Sequence, residues 1–497
     1  MHKLHRPNIV ILLTDQERFP QYYPAGWAEK HLHTRNRLER HGLRFENAFN
    51  CTSMCSPSRT SLFTGLYPAN SLVTDTLTYN DTMPQPKYSY LETMLSWYLP
   101  NMAKLLKISG YSVVYKGKWH LTKPMNGCTW TQNDVAMVAE FGFNEWDYPD
   151  AGEDTDPAHF GGGTADNDGR FLNDAITYLQ QLDVKKGPFA LILSMVNPHD
   201  VLAYPQSWQG EYPPEMLLGN IQLPPTIVED LSTKPRCQAQ ALQVMNVALG
   251  SLPTESDQLA YINFYANLQK KVDHQMGQLL DALEDRHLLP DTVIFRLADH
   301  GELGLSHNGF RQKAFVTYEE AIHIPLIISN PQMFPEPRST QSLATMVDLM
   351  PTLATLTGTR PPPDWSFDGV DLSPILEDPK VSVQDAILFT FDDQRAAFSG
   401  QLSATQQPNH IRCIRTRDWK YAYYFDPKEL TSPQHAQPRE YEMYNLADNP
   451  EETRNLANPA VKGYDLPHIV RMREELAARL DHLVADKLTP RRQGVGA

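Results

Sequence analysis

The feature that most constrains the fold of this chain is a pattern that occurs four times: an apolar run ends in, or just before, polar residues suited to catalysis. In open α/β sheets, ligands bind beyond the carboxyl ends of the strands. Four such ends would meet in one crevice, which predicts a single site built from distant parts of the chain. The polar residues that follow these runs are Asp15, Lys118 with His120, His199, and Asp299 with His300.

The wider pattern alternates predicted strands with predicted helices, which is typical of an α/β sheet. Residues 8–14 predict a buried strand, and residues 257–287 predict a long amphipathic helix. After about residue 375 the pattern of predicted elements changes to short strands. These strands predict a smaller α+β domain over 376–497 with a short antiparallel sheet. The larger domain, 1–375, contains a Pro-rich segment, 200–256, which we expect to be an irregular insertion over the site.

Composition excludes several classes of protein. The chain has 497 residues and a formal net charge of -15, so a basic nucleic-acid-binding surface is not expected. An enzyme that acts on anions would then need a local cationic pocket. No run reaches the length of a membrane span, and the first apolar run is too short for the core of a signal peptide. The low, odd number of five cysteines indicates a reducing cytoplasm without a disulfide framework.

The most informative short motif is C-S-P-S-R, which begins at Cys55 and ends at Arg59. Ser56 can cap a helix that begins at Pro57, which would leave Cys55 at a helix N-terminus. Free N–H groups and the helix dipole favour an anion there. Arg59 lies four residues further on and would project from the same face.

Cys55 has three other interpretations. A lone cysteine is most often a buried structural residue. The loop of cysteine-dependent phosphatases separates Cys and Arg by five residues, but position 61 is Ser61, so that pattern fails. A metal site on Cys51 and Cys55 is weak, because no second Cys/His pair has zinc spacing.

C-x-P-x-R followed by T-S-L-F-T-G resembles the signature of the sulfatase family of the alkaline phosphatase superfamily. The resemblance covers nearly the whole chain and is weakest over 200–256. It implies an alkaline-phosphatase-like large mixed sheet flanked by helices. It also implies that a formylglycine-generating enzyme oxidises Cys55 to formylglycine (3-oxoalanine). The hydrated aldehyde has one hydroxyl that attacks sulfur and a second that expels sulfate.

The resemblance further implies one divalent metal. Asp15 and Gln16 follow the first predicted strand, and D-H-G-E at Asp299 and His300 resembles the second metal motif of the family. The metal ligands would be Asp15, Gln16, Asp299, His300 and the modified Cys55. Oxygen ligands favour Ca²⁺, and one imidazole makes Mn²⁺ the alternative. Gln16 and His300 resemble the choline-sulfatase and phosphonate monoester hydrolase branch.

Four further residues complete the expected catalytic set. In G-K-W-H, Lys118 and His120 share a face, because alternate residues of an extended chain point the same way. By resemblance, Lys118 holds a sulfate oxygen and His120 is the base that drives sulfate elimination. His199, in N-P-H, would donate a proton or a hydrogen bond to the leaving oxygen. Lys313 matches a second sulfate-binding lysine, with Arg311 as a nearby competitor.

The leading hypothesis is therefore a cytoplasmic hydrolase of a small organic sulfate monoester. Two lysines, Arg59, histidines and a metal would neutralise the developing charge. The alternative is a phosphonate monoester or phosphodiester hydrolase of the same superfamily. A third possibility is a non-enzymatic anion sensor with an unmodified Cys55. We expect no nucleic-acid or membrane partner and a homo-oligomer. Aryl, choline and sugar sulfates stay open, and Thr76 stands where choline-sulfatase-like relatives carry Asn.

Overall fold

A computed structural model describes residues 4–80, 87–88, 91–396 and 404–489 of the chain. These residues contain two main β-sheets, a two-stranded ribbon and the helices around them. The strands are β1 (Asn8–Asp15), β2 (Gly42–Phe49), β3 (Tyr79–Asn80), β4 (Lys87–Tyr88), β5 (Ser112–Gly117), β6 (Phe189–Pro198), β7 (Thr292–Ala298), β8 (Leu326–Ser329), β9 (Arg338–Thr345), β10 (Ala386–Phe391), β11 (His410–Thr416), β12 (Trp419–Phe425) and β13 (Glu440–Asn445).

The helices are distributed along the whole described chain, and the longest is α9. They are α1 (Trp27–His31), α2 (His33–Arg40), α3 (Cys55–Thr64), α4 (Pro68–Ser71), α5 (Met102–Ile108), α6 (Gln132–Glu140), α7 (Asn167–Gln181), α8 (Arg236–Ala248), α9 (Glu255–Asp285), α10 (Ser306–Gly309), α11 (Glu319–Ile322), α12 (Leu349–Thr357), α13 (Ser373–Glu377), α14 (Lys428–Thr431) and α15 (Pro467–Leu488). No helix among these is long and apolar enough to cross a membrane.

The large sheet has seven strands in the order β5-β6-β1-β7-β8-β2-β9. All neighbouring pairs are parallel except those of β8, which runs antiparallel to both β7 and β2. β1 and β7 are buried along nearly their whole length, as continuous apolar runs of parallel sheets usually are. The predicted fold class, a large mixed sheet flanked by helices, is confirmed.

Helices cover both faces of this sheet. Alternate residues of β1 point to opposite sides. Val10 and Leu12 pack with residues of α7 and α9, whereas Ile9, Ile11 and Leu13 pack with residues of α3, α5 and α12. Apolar burial on both faces fixes the register of the strands, and hence the positions of the residues at their ends.

The second sheet is antiparallel, with the order β10-β11-β12-β13. It matches the short antiparallel sheet predicted near the C-terminus. Its inner face shares a buried cluster with the larger unit, in which Phe389 and Ile411 lie together with Phe49 and Phe315. A buried ion pair between Arg415 and Glu319, with N–O distances of 3.0 Å, also joins β11 to α11. The predicted boundary between residues 375 and 376 stays a prediction.

The prediction that residues 200–256 are irregular was partly wrong. The segment contains short 3-10 turns but also α8, a regular helix of 13 residues. Six of the seven prolines of this segment lie before α8 and Pro253 lies after it, whereas the helix itself consists mostly of good helix formers. Cys237, Ala241 and Met245, spaced four residues apart, bury one face of the helix.

Candidate active site

The four strands that precede the predicted site residues are neighbours in the sheet, in the order β5-β6-β1-β7. β1 ends at Asp15, which pairs with Pro198 at the end of β6, and His199 comes next in the chain. Lys118 follows the last residue of β5, and Asp299 follows the last residue of β7. The carboxyl ends of these strands therefore meet at one edge, and the residues predicted from the sequence converge there.

Cys55 is the first residue of α3, and only 3% of its surface is exposed to solvent. The helix N-cap is Met54 and not Ser56, so the predicted cap was wrong. The Ser56 hydroxyl instead accepts a hydrogen bond from the Leu77 amide at 3.1 Å. Because Cys55 already belongs to the helix, it occupies the first turn, where unpaired N–H groups favour a negative charge.

The surroundings of Cys55 stabilise an anion at this position. Its Sγ lies 3.2 Å from Nε2 of His300 and 3.9 Å from Oδ1 of Asp15. Burial and Asp15 oppose ionisation of the thiol, but Lys118, Lys313 and His300 hold its pKa well below its usual value. Position 55 therefore suits a nucleophile that carries negative charge.

A candidate metal centre surrounds position 55. Ligand atoms of Asp15, Cys55, Asp299 and His300 all lie within 4.8 Å of one another, and all four residues are buried. Burial and the adjacent Asp15 raise the pKa of Asp299 to about 6. Two carboxylates this close repel each other, so a cation between them is favourable. Two carboxylates and an imidazole suit a divalent cation, so the residues present fit the implied group.

Gln16, the further predicted ligand, lies next to this group. Its Oε1 accepts a hydrogen bond from Nζ of Lys313 at 2.7 Å, and its Nε2 donates to Oε2 of Glu302 at 2.6 Å. The amide therefore links the strand end of Asp15 to the segment that carries Lys313. Its role as a metal ligand stays a prediction.

Arg59 lies beneath the carboxylates and is fully buried. Its guanidinium is 3.0 Å from Asp15 and 3.0 Å from Asp299, and it donates to the Lys118 carbonyl at 3.0 Å and the Ser194 hydroxyl at 2.8 Å. With its donors engaged by the protein, Arg59 orients the two carboxylates and compensates their charge. Its expected part in neutralising the charge that develops on a bound sulfate stays a prediction.

Lys118 and His120 both lie buried in the crevice. Lys118 Nζ is 2.6 Å from Oδ2 of Asp15 and also donates to the Gly152 carbonyl. His120 has a left-handed backbone with φ of 50°, and its ring donates to the Leu77 carbonyl at 2.8 Å. Burial opposes protonation of His120, but the adjacent Cys55 raises its pKa. His120 is thus a suitable proton acceptor beside position 55.

A cavity of about 180 Å³ opens onto Cys55, and His199 and Lys313 also line it. His199 is 4% exposed, and burial together with Lys118 lowers its pKa to about 3. The neutral ring favours hydrogen-bond donation over proton donation, the two roles proposed for it. A larger cleft of about 750 Å³ lies along β9, but none of the predicted catalytic residues lines it.

Arg311, the competitor of Lys313, has a different role. Its guanidinium donates to the Gly250 carbonyl at 2.5 Å and to Asn246 Oδ1 at 3.0 Å, and it lies over the ring of Tyr261. It therefore holds the chain at the C-terminal end of α8. These contacts support the choice of Lys313 over Arg311 as the anion-binding cation.

Sequence reasoning missed Glu302, although it is the last residue of the quoted D-H-G-E motif. The side chain is fully buried. It accepts hydrogen bonds from the Tyr261 hydroxyl at 2.8 Å, from Gln16 Nε2 at 2.6 Å and from the Gln312 amide at 3.1 Å. Glu302 thereby fixes both Gln16 and the residue before Lys313. Its position in the motif was the available signal.

Asp154 also lines the cavity and was missed, because no recognisable motif surrounds it. Its Oδ1 lies 2.9 Å from Nδ1 of His159, whose side chain is 26% exposed. Burial opposes protonation of His159, but Asp154 raises its pKa to about 9, above the usual 6.5. The pair is ionic at neutral pH.

This pair predicts a pH-dependent contribution to stability. Because the folded pKa of His159 is raised, its contribution is complete below pH 6.5 and is lost as the pH rises through 9. We expect His159→Gln to lower the free energy of unfolding at pH 6 by about 1 kcal/mol, after a discount for partial exposure. At pH 10 the parent and the variant should be equally stable. Urea denaturation at both pH values tests this, and an equal loss at both would contradict it.

Models of known protein families match most of this chain. The sequence model described as Sulfatase matches residues 7–359, more than half of the chain. The chain belongs to the sulfatase family. The expected class, a sulfuric ester hydrolase of the alkaline phosphatase superfamily, is thereby confirmed. The model described as N-sulphoglucosamine sulphohydrolase, C-terminal, matches residues 306–485 of this sulfatase.

Relatives align along most of their length. An ulvan-active sulfatase of Formosa agariphila is 26% identical over 90% of this chain and 78% of its own. A choline-sulfatase of Rhizobium meliloti is 27% identical over 90% of this chain and 83% of its own. Among solved structures, the 2-O GAG sulfatase BT1596 superposes with a TM-score of 0.71 at 23% identity, covering 97% of this chain and 93% of that one. The phosphonate monoester hydrolase of Agrobacterium radiobacter has a TM-score of 0.67 at 21% identity, covering 97% and 96%.

Proposed function

We propose that this sulfatase hydrolyses a small organic sulfate monoester with formylglycine, formed from Cys55, as its nucleophile. The observation that carries the proposal is the position of Cys55. It begins α3 at the edge of a small cavity, beside the candidate metal ligands, and two lysines and His300 stabilise negative charge there. A hydrated aldehyde at this position would supply the attacking hydroxyl and a second hydroxyl that releases sulfate.

Asp15, Asp299, His300 and the modified residue 55 would hold one divalent metal, with Gln16 as a further ligand. We propose Ca²⁺, because most of these donors are oxygens, and Mn²⁺ as the alternative, because His300 adds an imidazole. The bound cation would supply positive charge that stabilises the developing anion. Arg59 keeps both carboxylates oriented toward this position.

The remaining residues have roles that follow from their contacts. Lys118 and Lys313 would hold sulfate oxygens, because both ammonium groups lie close enough to Cys55 to lower its pKa. His120 would accept a proton from the residue at position 55. His199 would donate a hydrogen bond to the oxygen of the departing alcohol. Water exclusion by the buried walls strengthens each of these interactions.

We also propose how the protein matures, where it acts and how it assembles. A formylglycine-generating enzyme would convert Cys55 during maturation. The chain would act in the cytoplasm, which the five free cysteines support because none forms a disulfide. It would assemble as a homo-oligomer of subunits with a catalytic domain over residues 1–375 and a smaller domain over 376–497.

One experiment tests the reaction. The protein is co-expressed with a formylglycine-generating enzyme, and the peptide that contains Cys55 is analysed by mass spectrometry. Turnover of 4-nitrophenyl sulfate is measured on the same sample. We expect the thiol to be converted to the aldehyde and turnover to rise in proportion to the converted fraction. An unmodified Cys55 in the presence of the maturation enzyme would contradict the proposal.

A phosphonate monoester or phosphodiester hydrolase is the second candidate. The likeness to a phosphonate monoester hydrolase structure and the presence of Gln16 and His300 favour it. Lys118 and His120 in the crevice favour the sulfatase reaction, because the phosphonate branch tends to replace both. We expect weak turnover of phosphodiesters and phosphonates beside efficient sulfate ester hydrolysis. Assays of all three ester types on one converted sample distinguish the candidates.

The lysine assignment makes a separate prediction. Lys313→Met should lower kcat/KM for 4-nitrophenyl sulfate by roughly 100- to 1000-fold, the usual cost of removing one group that stabilises a developing anion. Arg311→Met should instead lower the thermal midpoint, because Arg311 holds the end of α8. Steady-state kinetics and thermal melts of both variants test this. The reverse pattern would assign the anion-binding role to Arg311.

A further inference from the structure

The cavity that opens onto Cys55 has an acidic part as well as a cationic one. Lys313 lines it near position 55, whereas Glu153 and Asp154 line it from the loop that follows Gly152. Carboxylates accept hydrogen bonds and do not donate them when ionised. The part of the substrate that lies beyond the sulfate therefore meets acceptors, and these two residues have no role in the reaction as proposed.

Asp154 has an oxygen available for a ligand. Its Oδ1 is held by Nδ1 of His159 and by the Asp156 amide, both at 2.9 Å. No residue in the described part of the chain donates a hydrogen bond to its Oδ2, and the side chain is 32% exposed. Burial opposes ionisation, but His159 lowers the pKa of Asp154, so a charged acceptor lines the cavity.

Glu153 is more fully engaged by the protein. It accepts hydrogen bonds from the Tyr88 hydroxyl and from Nε1 of Trp130, the latter at 3.3 Å. Burial and the nearby Asp150 raise its pKa to about 7. Glu153 thus adds some negative charge to the cavity wall, whereas Asp154 has an oxygen to which no described residue donates.

The size of the cavity restricts what can bind there. Its volume is about 180 Å³, below the roughly 300–1,000 Å³ of pockets for drug-sized ligands. Apolar side chains of Leu202, Met245 and Leu249 form further parts of the lining. A compact alcohol fits such a space. A second anionic group on it would lie near the carboxylates and be repelled.

We propose that Asp154 selects small alkyl sulfates whose alcohol part carries a hydrogen-bond donor, a hydroxyl or an ammonium group, and disfavours alcohols with a second anionic group. This inference rests on the proposed sulfatase reaction, which would place the ester over position 55. A hydrogen bond from a donor on the alcohol to the charged Asp154 would satisfy its Oδ2, to which no residue in the described part of the chain donates.

A matched series of four substrates tests the selection: ethyl, 2-hydroxyethyl, 2-aminoethyl and carboxymethyl sulfate. These esters are similar in size and differ in the group beyond the ester. We expect kcat/KM for the better of the hydroxyl and ammonium esters to exceed that for ethyl sulfate by about 10- to 100-fold, the value of a hydrogen bond to a charged group. Whichever of the two is better identifies the donor. Carboxymethyl sulfate should be the poorest substrate.

Asp154→Asn should lower this preference about tenfold or more, because the charged acceptor is lost. Asp156→Asn is the matched control: it lies in the same loop, is exposed and does not line the cavity. The better donor ester and ethyl sulfate are compared on one preparation of each variant, so any loss of folded protein cancels in the ratio of their kcat/KM values.

Similar kcat/KM values for all four esters, or an unchanged ratio in Asp154→Asn, would overturn the inference alone. Absence of turnover with any ester, including 4-nitrophenyl sulfate, would overturn the proposed function with it.

Discussion

Replacing Cys55 with Ala is expected to abolish hydrolysis of sulfate esters, with kcat falling by roughly 10⁴-fold or more, as for other catalytic nucleophiles. Alanine keeps the helix start but removes both the thiol and any aldehyde made from it. The remaining lysines and histidines could still bind sulfate, so binding of inorganic sulfate should persist. Turnover of 4-nitrophenyl sulfate and sulfate titration on the same protein measure the two effects.

Cys51→Ala is the matched control. Cys51 lies four residues earlier and is equally buried, but burial raises the pKa of its thiol to about 12, whereas the cations around Cys55 lower that of Cys55. The control should retain turnover and lose some stability, because it leaves a small cavity in the core. Near-parental activity of Cys55→Ala would rule out both the sulfatase and the phosphonate hydrolase mechanisms.

Removal of divalent metal should have the second large effect. Dialysis against a chelator is expected to lower turnover at least ~100-fold, because positive charge that stabilises the developing anion is lost. Addition of Ca²⁺ should restore turnover, and Mn²⁺ should do so if the imidazole of His300 decides the preference. Activity that survives complete removal of metal, verified by elemental analysis, would contradict this prediction.

A stability measurement tests the same centre without relying on activity. Cation that binds only the folded protein should stabilise it by about 2.7 kcal/mol at a concentration of 100 Kd. We therefore expect Ca²⁺ to raise the thermal midpoint of the parent. Asp299→Asn should show little such rise, because it loses one of the two carboxylates in the group. An equal rise in both proteins would place the cation elsewhere.

Much of the architecture could be predicted from the sequence, because it depends on local pattern. The run Ile9–Leu13 is fully apolar and became the middle of β1, and the amphipathic pattern over 257–287 became α9. Local reasoning failed where context outweighed it. Ser56 can cap a helix in isolation, but α3 begins at Cys55, two residues before the predicted start at Pro57. The prolines of 200–256 suggested irregular chain throughout and obscured α8.

The site was predictable only in part. The residue types at the strand ends are explicit in the sequence, because parallel strands bring their carboxyl ends to one edge of the sheet. The partners of each side chain are not. The bond from Lys313 to Gln16 joins residues 297 positions apart, and that from Gln16 to Glu302 joins residues 286 apart.

By itself, the sequence determined the α/β fold class, the convergence of strand ends and the family signature around Cys55, since each follows from periodicity or a contiguous motif. The tertiary structure alone decided which polar groups face each other. The guanidinium of Arg59 contacts the carboxylates of Asp15 and Asp299 and does not line the cavity. Arg311 lies at the end of α8, and Asp154 lines the cavity that opens onto Cys55. The reason is physical: burial forces every charge to find a partner, and packing of distant segments determines which one.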